Sequence, residues 1–96
     1  MNQSPNDHTI YGNRSASYHN ISQFEEALAD GEKCIEINHR WGKGYMRKGM
    51  ALHSLGRLQE ALDTYKRGVQ LDPENAQMKA GIVSVKRDIE QAAFYT

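Results

Sequence analysis

An all-α solenoid of stacked helical hairpins is the fold this sequence predicts, on three observations. The stretches 11–37 and 45–71 are one pattern written twice, 34 residues apart: Tyr11 pairs with Tyr45, Ser15 with Gly49, Tyr18 with Leu52, Phe24 with Leu58, Ala27 with Ala61, Leu28 with Leu62 and Cys34 with Gly68. Within each copy the apolar residues recur three and four apart, as in Leu58, Ala61, Leu62, Tyr65 and Val69, which places them on one helical stripe. The hydrophobic content of 39%, with only two Phe and one Trp in 96 residues, makes a thin core rather than a globular one.

The elements follow from the phase of the period. Ser4-Pro5-Asn6-Asp7 reads as a helix start, with Ser4 as N-cap and Pro5 at the first helical position. Asp72-Pro73-Glu74-Asn75 does the same job two periods later, and His39 replaces the proline midway. Helices are expected over 8–21, 24–37, 42–55, 58–71 and 75–93, separated by turn signals at 20–22, 38–40 and Gly56. The last helix carries its own stripe, Met78, Ile82, Val85, Ile89 and Ala92, with Lys79, Lys86, Arg87, Asp88, Glu90 and Gln91 on the other side, as suits a helix that caps a repeat array. The chain therefore divides into a remnant linker and helix start (1–7), two repeats (8–41 and 42–75) and a capping helix with its tail (76–96). A period of 34, with small residues where two helices must touch, is the mark of the tetratricopeptide repeat. No cap precedes the first repeat: Pro5 holds the phase position that closes an earlier one, as if a repeat had been cut away upstream. The expectation is that helix 8–21 frays, or that its apolar face with Ile10, Tyr11 and Tyr18 is covered by self-association into a homo-oligomer.

Composition narrows the function. Lys plus Arg and Asp plus Glu are each 12, so no global field draws the molecule to nucleic acid or to an anionic membrane. A lone cysteine, Cys34, forbids an internal disulfide and points to an inert core thiol in a reducing compartment. No signal peptide is visible at Met1, and no apolar run approaches the roughly 20 residues that cross a bilayer, so the expected location is cytoplasmic. Enzyme chemistry finds no support: His8, His19, His39 and His53 lack metal-ligand spacing and read as solvated or helix-end residues. Gly42 and Gly44 follow no strand and make no phosphate loop, and Glu25-Glu26 lie on an outer helix face. No cofactor motif is present.

One polar set stands out. Lys43 and Arg47 are four apart, hence on one helix face, and Arg47 follows Asn13 by 34, so the two share a phase position in successive first helices. First helices line the concave side of such a superhelix. An ammonium, a guanidinium fork and an amide in one groove suit an acidic peptide end. Read from spacing alone, two solvated charges on a charged surface explain Lys43 and Arg47 equally well.

The segments Asn13-Arg14-Ser15-Ala16 and Trp41-Gly42-Lys43-Gly44-Tyr45-Met46-Arg47-Lys48-Gly49, supported by 26–35 and 56–61, resemble the second and third repeats of carboxylate-clamp tetratricopeptide domains. The resemblance covers about residues 5–90 and is strongest to the N-terminal such domain of the Hop, or stress-inducible, co-chaperone family. It implies a non-catalytic adaptor in which Asn13, Lys43 and Arg47 are three of five residues gripping the Glu-Glu-Val-Asp tail of heat-shock chaperones, the seventy-kilodalton class before the ninety, with Ala16 in the groove floor. The family's other two clamp residues lie in a repeat that precedes Ser4-Pro5. Losing two charge-assisted contacts costs about 3 kcal/mol, roughly a hundredfold in affinity. The competing reading is a structural scaffold fragment that self-associates and holds no peptide. Arg14 and Lys48, where generic repeats prefer Leu, are expected to cover apolar surface with their stems rather than to line the groove.

Overall fold

The computed structural model describes residues 7–94. It contains α1 (His8–Asn20), α2 (Phe24–Ile37), α3 (Gly42–Ser54), α4 (Leu58–Leu71) and α5 (Ala76–Phe94), each within a residue of the bounds expected from the period. The proposed Ser4-Pro5 start lies outside the described residues. Asp7 caps α1: its carboxylate accepts from the Thr9 hydroxyl at 2.6 Å and the Thr9 amide at 2.9 Å, and these bonds hold it below the usual carboxylate range.

Both hairpins turn the same way. After α1 the amide of Gln23 donates to Tyr18 O and that of Ser22 to His19 O; after α3, Arg57 donates to Leu52 O and Gly56 to His53 O. This double closure needs one residue in the left-handed region, and it falls at Ser22 (φ 62°) and Gly56 (φ 79°), again 34 apart. The final helix begins differently from the expectation. Asp72 ends α4, and Asn75 rather than Asp72 caps α5 by accepting from the Met78 amide at 2.8 Å. Pro73 thus sits in the connecting turn, two residues before the cap.

Each stripe meets a neighbour. Ala27, Leu28, Met46, Ala51, Leu52, Ala61, Leu62, Tyr65, Met78 and Val85 form one continuous core. Ala92, expected on the stripe of α5, is exposed, so that stripe ends near Ile89. Small residues set the spacing: the Tyr65 ring lies between Gly49 of α3 and Gly81 of α5, and a Cβ at either glycine would come to 2.7 Å of it.

Successive helices pack in order, and α3 also touches both α1 and α5, whereas α2 and α4 make no contact among the described residues. First helices thus crowd together while second helices fan apart. Such an array curves with α1, α3 and α5 on its inner side. The body measures 51 × 28 × 18 Å, as a short piece of superhelix should.

Candidate functional site

The inner side is built from α1, α3 and α5. Asn13 is exposed on α1 and Ala16, one turn on, is half-buried; on α3 Lys43 is exposed and Arg47 half-buried. A buried sulfur marks where these helices meet. Cys34 of α2 is fully enclosed, and Cβ atoms placed at Gly12 and Gly44 would lie 3.6 and 3.1 Å from its Sγ. Gly12 precedes Asn13 and Gly44 follows Lys43. Burial pushes the thiol up to about 11, and the nearby positive charge of Arg47 pulls the other way, so the guanidinium lies within electrostatic reach of the same point.

Among the described residues the side chains of Asn13, Lys43 and Arg47 have no hydrogen-bond or ion-pair partner. Arg14 and Lys48 do. Arg14 clamps Asp30 with two bonds of 2.7 and 2.9 Å and lies over the rings of Tyr11 and Tyr18, while Lys48 reaches Glu32 at 3.6 Å. Both are committed to α2, away from the inner side. Their charges are paired, which spacing did not reveal.

Charge divides by helix. Taken together, α1 and α3 carry Arg14, Lys43, Arg47 and Lys48 and not one carboxylate. The outer helices α2 and α4 carry Glu25, Glu26, Asp30, Glu32, Glu36, Glu60 and Asp63 against only Lys33, Lys66 and Arg67. In a chain of zero formal charge, α1 and α3 are thus purely cationic and α2 is strongly acidic, while α4 is balanced.

The inner side also holds a hollow of about 240 Å³, lined by His19, Met46, Met50, His53, Ser54, Tyr65 and Gln77. It lies toward the C-terminal ends of α1 and α3, and Asn13, Ala16, Lys43 and Arg47 do not line it. None of its lining residues was expected from the sequence to form a binding site. The available signal was that His19 and His53 are one period apart. Neither imidazole is merely solvated: His19 Nε2 meets Ser54 Oγ at 2.9 Å, and His53 Nε2 meets Asp88 Oδ2 at 2.6 Å. Asp88, expected on the wet face of α5, instead ties that helix to α3. His8 packs edge-on to Trp41, with ring centroids 4.7 Å apart, at the start of α1. Among the described residues no three His, Cys, Asp or Glu side chains gather at metal-binding distance, and no helix is long and apolar enough to cross a membrane.

Comparison with known proteins agrees with this architecture. The tetratricopeptide repeat family pattern matches residues 8–39 and again 42–75. The heat shock protein sti1 homolog of Schizosaccharomyces pombe is 44% identical over 87 residues, and the Hsp70-Hsp90 organizing protein of Triticum aestivum 42% over 83; these alignments cover 91% and 86% of this chain but only 15% and 14% of the relatives. Among solved structures, the first such domain of Spaghetti (RPAP3) bound to an HSP90 peptide, SRMEEVD, superposes with a TM-score of 0.86 at 25% identity, covering 91% of this chain and 69% of that one. The second domain of human RPAP3 with an HSP70 peptide, SGPTIEEVD, gives 0.80 at 29% identity, over 83% and 67%. Two copies of a 34-residue hairpin, an inner row of first helices and these matches make the chain a member of the tetratricopeptide repeat family.

Proposed function

We propose that the chain is a non-catalytic co-chaperone adaptor module that takes the acidic C-terminal Glu-Glu-Val-Asp tail of heat-shock chaperones along its inner side, in the cytosol. One observation carries the reading: Lys43 and Arg47 stand unpaired on a row of first helices from which α1 and α3 exclude every carboxylate. In this assignment Arg47 holds the terminal carboxylate with its planar fork, Lys43 supplies a mobile second charge, Asn13 bonds the carboxylate or the last peptide group, and Ala16 leaves room in the floor. Sequence identity above 40% to organizing proteins of the seventy- and ninety-kilodalton chaperones supports the choice of partner, and the kinship to the Hop family's N-terminal domain favours the seventy class.

The test compares a free-acid Glu-Glu-Val-Asp peptide with its C-terminal amide by calorimetry. The free acid is expected to bind at least tenfold tighter, and Lys43→Ala and Arg47→Ala each to weaken it by about tenfold, corresponding to a charged hydrogen bond of ~1.5–3 kcal/mol, with little change for the amide. Equal binding of acid and amide would remove the clamp assignment.

A second reading rests on α1. Gly44 and Lys48 of α3 lie against α2; one period earlier these positions are Ile10 and Arg14, and Ile21, which corresponds to Leu55, is 62% exposed. We infer that a second copy covers this face at high concentration. A mass by light scattering that rises with concentration, and no longer does so in Ile21→Ser, is the expected result; a constant monomer mass refutes it.

A further inference from the structure

The hollow beside the cationic row carries a feature that the clamp reading leaves unused. His19 and His53 are one period apart, and so are the groups they bond, Ser54 and Asp88. The same brace between successive first helices is made twice, once with a hydroxyl and once with a carboxylate. Since α1 and α3 contain no acid, Asp88 brings a negative charge to an inner side otherwise without one at these positions. Its side chain is 41% exposed, and only one of its oxygens is engaged by His53, so its charge remains available to a group that lies against His53.

The position matters because of length. Arg47 and His53 are six residues apart on α3 and Lys43 and His53 ten, so the His53 end of the hollow, which also extends back to Met46, lies about 9 to 15 Å along the helix from the cations at 1.5 Å per residue. An extended peptide advances about 3.3 Å per residue. A chain anchored by its terminal carboxylate at Lys43 and Arg47 and running along α3 therefore reaches the His53 end of the hollow about three to five residues before its end. The walls of the hollow, Met46, Met50 and the Tyr65 ring, accept an apolar stem, and Asp88 is bonded to another lining residue, His53.

We infer that Asp88, held in place by His53, is a specificity-determining residue that reads the charge of the peptide residue entering this hollow, admitting an apolar or basic side chain and disfavouring an acidic one. The inference rests on the clamp reading, since the clamp fixes the register. Acidic residues nearer the terminus meet the cations; the one beyond them meets Asp88. The peptide is thus asked for a change of charge along its length, which a uniformly acidic tail cannot supply.

The test uses free-acid peptides ending in Glu-Glu-Val-Asp, with the preceding residue Lys, Leu or Glu, together with their C-terminal amides. For the unaltered chain we expect Lys to bind about three- to fivefold tighter than Glu, the size of a partly exposed charge interaction, with Leu between them. Asp88→Asn, which retains an oxygen to accept from His53, should bring that ratio close to one, and Asp88→Lys should reverse it; helicity and melting temperature verify that both variants are folded. An unchanged Lys-to-Glu ratio in Asp88→Asn, or a ratio of one in the unaltered chain while acid still outbinds amide, overturns the inference and leaves the clamp standing. Equal binding of acid and amide overturns both.

Discussion

Ser22 shows how the repeat constrains a single residue. The hairpin turn demands a left-handed conformation at this phase position, and the second repeat meets the demand with Gly56 whereas the first uses a side chain that resists it. Ser22→Gly is expected to stabilise the chain by a few tenths up to about 1 kcal/mol, the relief of strain being partly offset by the freer unfolded backbone; thermal or urea melts measure it. Cys34 makes a second prediction at this scale. A buried thiol with its pKa raised to about 11 favours the folded state below the thiol's ordinary range, and that advantage is lost as pH rises through about 11, because the unfolded chain ionises first. Stability should therefore fall between about pH 9 and 11, less steeply in Cys34→Ala, and at pH 8 a thiol reagent should react with the native chain only as fast as it opens. The inertness of this cysteine was legible in its small-residue position. The pairing of Arg14 with Asp30 was not, because partners 16 residues apart are brought together by the angle between α1 and α2, which spacing does not encode.

Helix pairs are spaced by what their contact residues lack. At Gly31 a Cβ would come to 3.0 Å of the Lys48 amide nitrogen and 3.1 Å of its Cα, so the backbones of α2 and α3 themselves set the limit. Alanine is the better helix former by about 1 kcal/mol, yet Gly31→Ala has to push two helices apart through the core between them. We expect a net loss of about 1–3 kcal/mol, read as a lower urea midpoint; a gain would show that this contact is slack. The helices themselves were legible to within a residue because period and stripe agree at every step. The cap of α5, not its bounds, was misjudged: Asn75 rather than Asp72 accepts from the Met78 amide, which leaves Pro73 in the turn before the helix. The braces from His19 and His53 were illegible because each joins residues 35 apart, from one first helix to the next, at a spacing that only the packed structure supplies.

At the scale of the molecule, balanced composition concealed a division. Equal numbers of acids and bases suggested no long-range field, but α1 and α3 carry only bases and the acids gather on α2. The cause is the hairpin itself: it turns one helix inward and one outward, so the bases of α1 and α3 and the acids of α2 fall on different rows, while α4 is balanced. That sorting also bears on the proposed grip, since Lys43 and Arg47 have no acid on their own helix or on α1 with which to close an internal ion pair.

A particle without a monopole but with a transverse dipole attracts a distant anion only once it has turned the correct side toward it. The torque on this body, nearly twice as long as it is wide, acts before any contact forms and is confined to the last ~8 Å or so at physiological salt. Encounter with an acidic chain end should thus sort by orientation first and by chemistry second, with wrong-side collisions turned away by the carboxylates of α2.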